Sequence, residues 1–259
     1  LDLGIEGRTA LICASSQGLG FACASALVRE GVDVVINGRD EAKLAAAETT
    51  LAGLGAGDVR SVAADVTTHD GRAALLAACP SPDILLNNNA GPSAKMFLDT
   101  EPEDWNVTLA GSMIAPLLLI HGVLPGMIER KFGRIVNITS AMVSTPRPHH
   151  TLSAGARAGL TASLKALSFD VAKHNVTINN MLPERIDTNR QEQMAYAAMK
   201  RENISYEKAR ELQVKSIAAN RLGRPEEFGA AFAFLCSDHA GYISGQNLHL
   251  DGGSYPALL

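Results

Sequence analysis

Seven short apolar, β-branched runs punctuate the chain, at 9–14, 32–36, 59–63, 84–87, 134–138, 177–182 and 247–250. Within each run hydrophobic residues follow one another almost without interruption, as strands covered on both faces require. Longer stretches of helix-like spacing separate them. This alternation predicts an α/β fold: a doubly wound, seven-stranded, mainly parallel sheet with right-handed crossovers and helices on both faces. No repeat, low-complexity tract or Pro/Gly-rich linker interrupts it, so residues 1–259 are expected to form one domain.

Helix boundaries are legible in places. Asp40 is placed to cap the Ala-rich run 41–54, and Pro225, followed by Glu226 and Glu227, suits the first turn of a helix reaching Cys236. A further helix is expected at 21–30, and apolar helices around 114–128 and 158–171. Residues 189–219 break the rhythm: they hold no Gly or Pro, are rich in Ala, Glu, Lys and Met, and fall between two strands. They read as a small helical lid, because ligands of such folds bind at the carboxyl ends of the strands. Met194, Tyr196 and Met199 are its candidate apolar contacts.

Composition narrows the partners. A chain of 259 residues, 46% hydrophobic and 5% aromatic, can bury a sizeable core, and its net charge of −4 with scattered Lys and Arg gives no basic stripe for nucleic acid. No cationic leader opens the chain, and apolar runs such as 115–120 are short of a bilayer's thickness, so a cytoplasmic protein without membrane partners is expected. Cys13, Cys23, Cys79 and Cys236 have no metal-ligand spacing and lie in apolar stretches; they read as buried thiols, with no metal site.

The first strand runs into Cys13-Ala14-Ser15-Ser16-Gln17-Gly18-Leu19-Gly20 and then a helix. Small residues and two glycines let the backbone approach a pyrophosphate, and the helix N-terminus adds unpaired N–H groups and a positive dipole end. After the second strand comes Asn37-Gly38-Arg39. An acidic residue there would bind a ribose 2′-hydroxyl, whereas Gly followed by Arg leaves room and positive charge for a 2′-phosphate, so NADP(H) is favoured over NAD(H).

Taken with Asp65-Val66 after the third strand and Asn88-Asn89-Ala90-Gly91 after the fourth, the chain resembles a short-chain dehydrogenase/reductase of the 3-oxoacyl-(acyl carrier protein) reductase-like branch. CASSQGLG, NGRD, ADVT, NNAG, GRIVNITS, NNMLPERIDT and the stretch from RLGRPEEF to NLHLDGG carry that resemblance over the whole chain. It implies a Rossmann fold in which Ala14, Ser16, Gln17, Gly18, Leu19 and Gly20 hold the pyrophosphate, with Ala14 in place of the usual first Gly. Arg39 would take the 2′-phosphate, Asp65 and Val66 the adenine, and Asn89, Ala90 and Gly91 the adenosine ribose side. Pro183 and Thr188 would lie near the nicotinamide.

The same resemblance implies an active-site Ser, Tyr and Lys, often with an Asn. The register puts Ser140 at the Ser position but Ser153 at the Tyr, Arg157 at the Lys and Ser112 at the Asn. Arg157 can still donate to ribose hydroxyls, and Ser140 can hold a substrate oxygen. Ser153 cannot imitate a phenol, since an aliphatic hydroxyl is a much weaker acid. His149 and His150 are the nearest groups of suitable pKa, and His150 is the candidate proton donor. Glu184, where the family has Gly, reads either as an acid/base group or as a partner of Arg185.

The expected function is NADP(H)-dependent oxidation or reduction of a small-molecule alcohol or carbonyl, with a non-standard proton donor. A cofactor-binding sensor or partner subunit without catalysis is the alternative, and a lyase or dehalogenase on the same fold ranks last. The resemblance implies a homodimer or homotetramer.

Overall fold

Neighbouring residues of a strand point to opposite faces, so a continuous apolar run feeds two cores at once. The computed structural model, which describes residues 1–215 and 217–258, shows this in every central strand. The strands are β1 (Thr9–Ile12), β2 (Asp33–Gly38), β3 (Val59–Ala63), β4 (Ile84–Asn87), β5 (Gly133–Ile138), β6 (Val176–Pro183) and β7 (Asn247–Leu250). They form one sheet in the order β3-β2-β1-β4-β5-β6-β7, with every pairing parallel.

Helices α1 (Gly18–Arg29), α2 (Glu41–Ala52) and α9 (Pro225–Cys236) cover one face, where Ala10, Ile12, Val34, Ile36, Ile84 and Leu86 point. Helices α3 (His69–Ala78), α5 (Ala115–Arg130) and α6 (Thr151–Val171) cover the other, meeting Leu11, Val35, Leu85 and Ile135. Asp40 caps α2 by accepting from the Lys43 N–H at 3.1 Å, as its position predicts. Between β6 and α9 the expected helical segment is a pair, α7 (Asn189–Glu202) and α8 (Tyr206–Val214); Ser216 of the stretch 189–219 lies outside the described residues.

Several boundaries differ from the sequence reading. β1 stops at Ile12, because Cys13 and Ala14 already belong to the turn. β2 runs on to Gly38, pairing with Ala63. α6 begins at Thr151, so Ser153 and Arg157 stand on its first two turns.

The apolar runs also prove longer than expected. α4 (Pro102–Leu109), a π-turn at Ala110–Ile114 and α5 continue as one helix, Pro102–Arg130, which by length and composition is long and apolar enough to cross a membrane. Its inward face explains that composition: Ala115, Leu119, Ile120, Val123 and Met127 are buried against the sheet.

Asparagine amides inside the sheet reach across from strand to strand. Asn87 donates to Asn137 Oδ1 at 2.9 Å, and Asn137 to the Asn179 carbonyl at 3.3 Å. Asn179 in turn donates to the Ile243 carbonyl at 2.8 Å. At the opposite end of β5 the largest fully buried side chain is Arg134, which donates to the carbonyls of Ser237 (3.2 Å), Gly133 (3.0 Å) and Asn175 (3.0 Å) and lies over Phe132. An Arg134→Met variant keeps much of the stem and removes every donor. Its unfolding free energy in urea should drop by about 2–4 kcal/mol, since buried acceptors lose their partners; a loss below about 0.5 kcal/mol would contradict the clamp.

Candidate active site

With both faces of the sheet covered, the open surface is its carboxyl edge, and the cavity there, about 640 Å³, starts at the turn after β1. That turn is pinned from beneath. The Ala14 N–H donates to Asn37 Oδ1 at 3.3 Å, Asn88 donates to the Ala14 carbonyl at 3.1 Å, and Ser15 Oγ donates to the Ile12 carbonyl at 2.7 Å. Ala14 and Gly18 both take left-handed backbone, at φ 46° and 63°. Gly20 is required by space: a Cβ there would stand 2.4 Å from the Ala14 carbonyl oxygen. Gln17 precedes α1 without a side-chain cap, so the first N–H groups of the helix are left for another acceptor.

Ala14, Ser16, Gln17, Gly18 and Leu19 line the cavity. Gly20 does not; it serves the turn by letting α1 close on it. Toward the β2 and β3 ends the wall is Arg39, Asp65 and Val66, with Lys43 added from α2, a residue the sequence reading passed over. Arg39 is largely exposed and stands 3.7 Å from Asp65 Oδ2. The backbone N–H of Thr67, then its hydroxyl, and more weakly Arg39 hold the Asp65 carboxyl below the usual carboxylate range.

At the other end the cavity brings together Asn89, Ala90, Gly91, Ser140, His150, Ser153, Arg157, Pro183 and Thr188. Ser140 follows β5 and opens a short turn; its Oγ accepts from the Met142 N–H at 3.2 Å, which leaves the hydroxyl proton to be donated elsewhere. Arg157 is 8% exposed and donates to the Ile138 carbonyl at 2.6 Å. A Cβ on Gly91 would come within 3.4 Å of its Nη2, so the glycine keeps the space above the guanidinium open. Burial, with Arg190 adding repulsion, pushes the Arg157 pKa down to about 10, which leaves it charged at neutral pH. His150 precedes α6; burial first, then Arg147, Arg190 and His149, lower its pKa below the ordinary histidine value.

Other features were not legible. Glu184, 8% exposed at its side chain, accepts from Arg147 Nη2 at 2.7 Å, and Arg185 Nε stands farther away, at 3.7 Å. The pairing foreseen with Arg185 is thus the weaker of two, the stronger coming from a loop 37 residues upstream. His249, on β7, meets Ser144 at 3.1 Å and braces the loop that carries Ser140. Ser112 is buried in the π-turn and is not part of the cavity wall. From α7, Met194 lines the cavity, whereas Tyr196 packs against Tyr206.

A doubly wound parallel sheet with a glycine turn, an uncapped helix N-terminus and a cleft where the strand order reverses defines a Rossmann-type dinucleotide-binding protein. The sequence model of the family described as enoyl-(acyl carrier protein) reductase matches residues 13–255, and the chain belongs to that family of short-chain dehydrogenases/reductases. It is 32% identical, over 97% of its length and 99% of the relative's, to the NADPH-dependent reductase BacG of Bacillus subtilis. It is 29% identical, over 98% of its length and 99% of the relative's, to the 3-oxoacyl-[acyl-carrier-protein] reductase FabG of Vibrio harveyi. The crystal structure of L-sorbose reductase from Gluconobacter frateurii, complexed with NADPH and L-sorbose, superposes with a TM-score of 0.95 at 28% identity over the full length of both chains.

The left-handed Ala14 gives a direct test of the turn. A Cβ in this region costs about 1–2 kcal/mol, and glycine loses part of that gain through its freer unfolded chain. Ala14→Gly should therefore raise the unfolding free energy by roughly 0.5–1 kcal/mol and Ala14→Val should lower it, both read from urea melts.

Proposed function

We propose that the protein is an NADP(H)-dependent oxidoreductase that interconverts a small-molecule carbonyl and its alcohol, as a 3-oxoacyl reductase-like member of its family. The observation that carries this reading is the cleft itself: it runs from Arg39 at one end to Ser140 and the buried Arg157 at the other, along the strand ends. The residues fit the cofactor. The space that Gly91 leaves above Arg157 and the bare N-terminus of α1 suit a dinucleotide, and Arg39 with Lys43 suits a 2′-phosphate. Two relatives support the choice, a reductase named as NADPH-dependent and one crystallised with NADPH.

When bound, the cofactor supplies a hydride to the carbonyl carbon, or takes one from the alcohol, and is itself oxidised or reduced. The chain then has to hold the oxygen and move one proton. Ser140, its lone pair engaged by the Met142 N–H, donates its hydrogen bond to the substrate oxygen. Arg157, fixed by the Ile138 carbonyl, turns its remaining N–H groups to the ribose hydroxyls. Ser153 and Arg157 occupy the positions of the family's Tyr and Lys, so the proton comes from His150 or from a water lodged at Ser153. Asn89, Ala90 and Gly91 face the adenosine ribose, Pro183 and Thr188 the nicotinamide, and the α7–α8 pair forms the lid. A homodimer or homotetramer in the cytoplasm completes the reading, supported by exposed Ile114 at the end of the π-turn, Leu118 on α5 and Phe169 on α6, and by four unpaired, buried cysteines.

Fluorescence titration should show NADPH binding more tightly than NADH. Arg39→Ala should weaken NADPH by about 10-fold, one charge-assisted contact, and leave NADH unchanged. NADPH-dependent turnover of ketones and aldehydes should follow in the same cuvette; tight NADPH binding with no turnover across a broad panel would favour the sensor alternative.

The pH profile tests the proton donor. A histidine that donates must first be protonated, and this one protonates below its ordinary value near 6.5. The reduction kcat/KM should climb as pH falls from 8 through that value and level off only below it. His150→Asn should flatten the limb; an unchanged limb would transfer the proton to water.

A further inference from the structure

The charges of the cleft are unevenly divided. Where the adenine would lie, Arg39 and Lys43 are matched by Asp65 and Asp40. At the reactive end Arg147, Arg157, Arg185 and Arg190 line the wall with one carboxylate, Glu184. In the functional reading above, on which this inference rests, Arg157 faces the ribose. Arg190, in the first turn of α7, is drawn across to the segment after β4, where it donates to the Pro92 carbonyl at 3.4 Å. That leaves Arg147 and Arg185, which come from different elements and meet on Glu184.

One carboxylate between two guanidinium groups leaves one positive charge in excess. Glu184 Oε1 takes Arg147 Nη2 at 2.7 Å, while Arg185 Nε, at 3.7 Å, is buried and makes no hydrogen bond among the described residues. Arg185 is held there by left-handed backbone, φ 56°, a conformation a long side chain rarely adopts. Burial and then repulsion from Arg147 lower the pKa of His150; burial lowers that of Arg185, whose charge Glu184 supports and Arg147 opposes. Such a pair lacks an anion. Planar guanidinium forks bind planar oxyanions with two parallel hydrogen bonds, and a single surplus charge matches a carboxylate better than a phosphate dianion.

We propose that the substrate is a carbonyl compound bearing a carboxylate, an oxo acid or the corresponding hydroxy acid, whose carboxylate is bound by Arg147 and Arg185 while its carbonyl meets Ser140. Glu184 acts as a positioning residue: it aligns the two arginines without neutralising both. The hydride and proton balance is that of the reaction above, and the carboxylate is unchanged by it.

Calorimetric titration of the NADP⁺ complex tests this independently of turnover. The probes are 2-oxobutyrate and levulinate, the methyl ester of each, and dihydroxyacetone phosphate. At least one acid should bind about 10-fold or more tightly than its ester, the worth of one desolvated charge-assisted pair. Arg147→Gln and Arg185→Gln should each erase that ratio while NADP⁺ affinity, which reports an intact fold, is retained. The proposal is overturned if esters bind as well as acids, if no acid binds, if the ratio survives both substitutions, or if dihydroxyacetone phosphate is preferred. Failure to bind NADP⁺ at all would instead bring down the underlying functional reading.

Discussion

The parallel sheet is buried on both faces, and that constraint decides where everything else can be. Helices α1, α2 and α9 occupy one side, α3, α5 and α6 the other, and the chain crosses between sides where β1 and β4 lie next to each other. Chain leaving β1 and chain leaving β4 diverge there, so their carboxyl ends cannot be covered by the helices they feed. The gap has to be stabilised without being filled, and side-chain amides do so. Asn37 holds the turn from β2 and Asn88 holds it from the end of β4, while Asn87 and Asn137 tie the strands below.

Desolvation governs the chemistry of the edge. Guanidinium groups lose a large part of their hydration when buried, and the loss is tolerable only with good acceptors nearby. Arg134, at the closed end of the sheet, is met by carbonyls from β5, from the loop before β6 and from the end of α9. Arg157, at the open end, has the Ile138 carbonyl and otherwise faces the cavity. Two buried arginines on the same fold thus sit at opposite ends: one closes a structure whose acceptors are internal, the other lines the cavity with a single carbonyl partner.

Much of this was readable from residue order. Continuous apolar runs identify a two-faced parallel sheet, and five of the six residues assigned to the turn after β1 do line the cleft; Gly20 lies behind it because its task is clearance for α1. The first turns of α6, Thr151 to Arg157, carry small and polar residues that give no amphipathic stripe, and packing against the π-turn accompanies their helical order. The helix Pro102–Arg130 was read as starting only near 114 because its first turns, Pro102–Leu109, carry Glu103, Asp104 and Asn106 and lack the apolar run of the rest. Arg147 and Glu184 could not be paired from sequence: periodicity reports neighbours on one element, and these two meet only after a loop folds over a strand end.

The same distinction separates the two halves of the cleft. Binding a dinucleotide needs backbone approach, dipole ends and small residues, properties that a local motif carries almost unaided, so the half built by 13–20, 37–40 and 64–66 is legible as a string. Proton delivery and substrate choice need side chains converging from the β5 loop, α6, the β6 end and α7, whose placement is a property of the packed fold. Ser140 shows the dependence: its hydroxyl is aimed by the Met142 N–H of its own turn, and that turn is braced by Ser144 against His249, more than 100 residues further along the chain. A substitution on β7 can thus shift the Ser140 hydroxyl, the oxygen-binding group of the proposed reaction, without touching the cleft, and this end of the cavity is accordingly as much a product of the sheet's last strand as of the residues that line it.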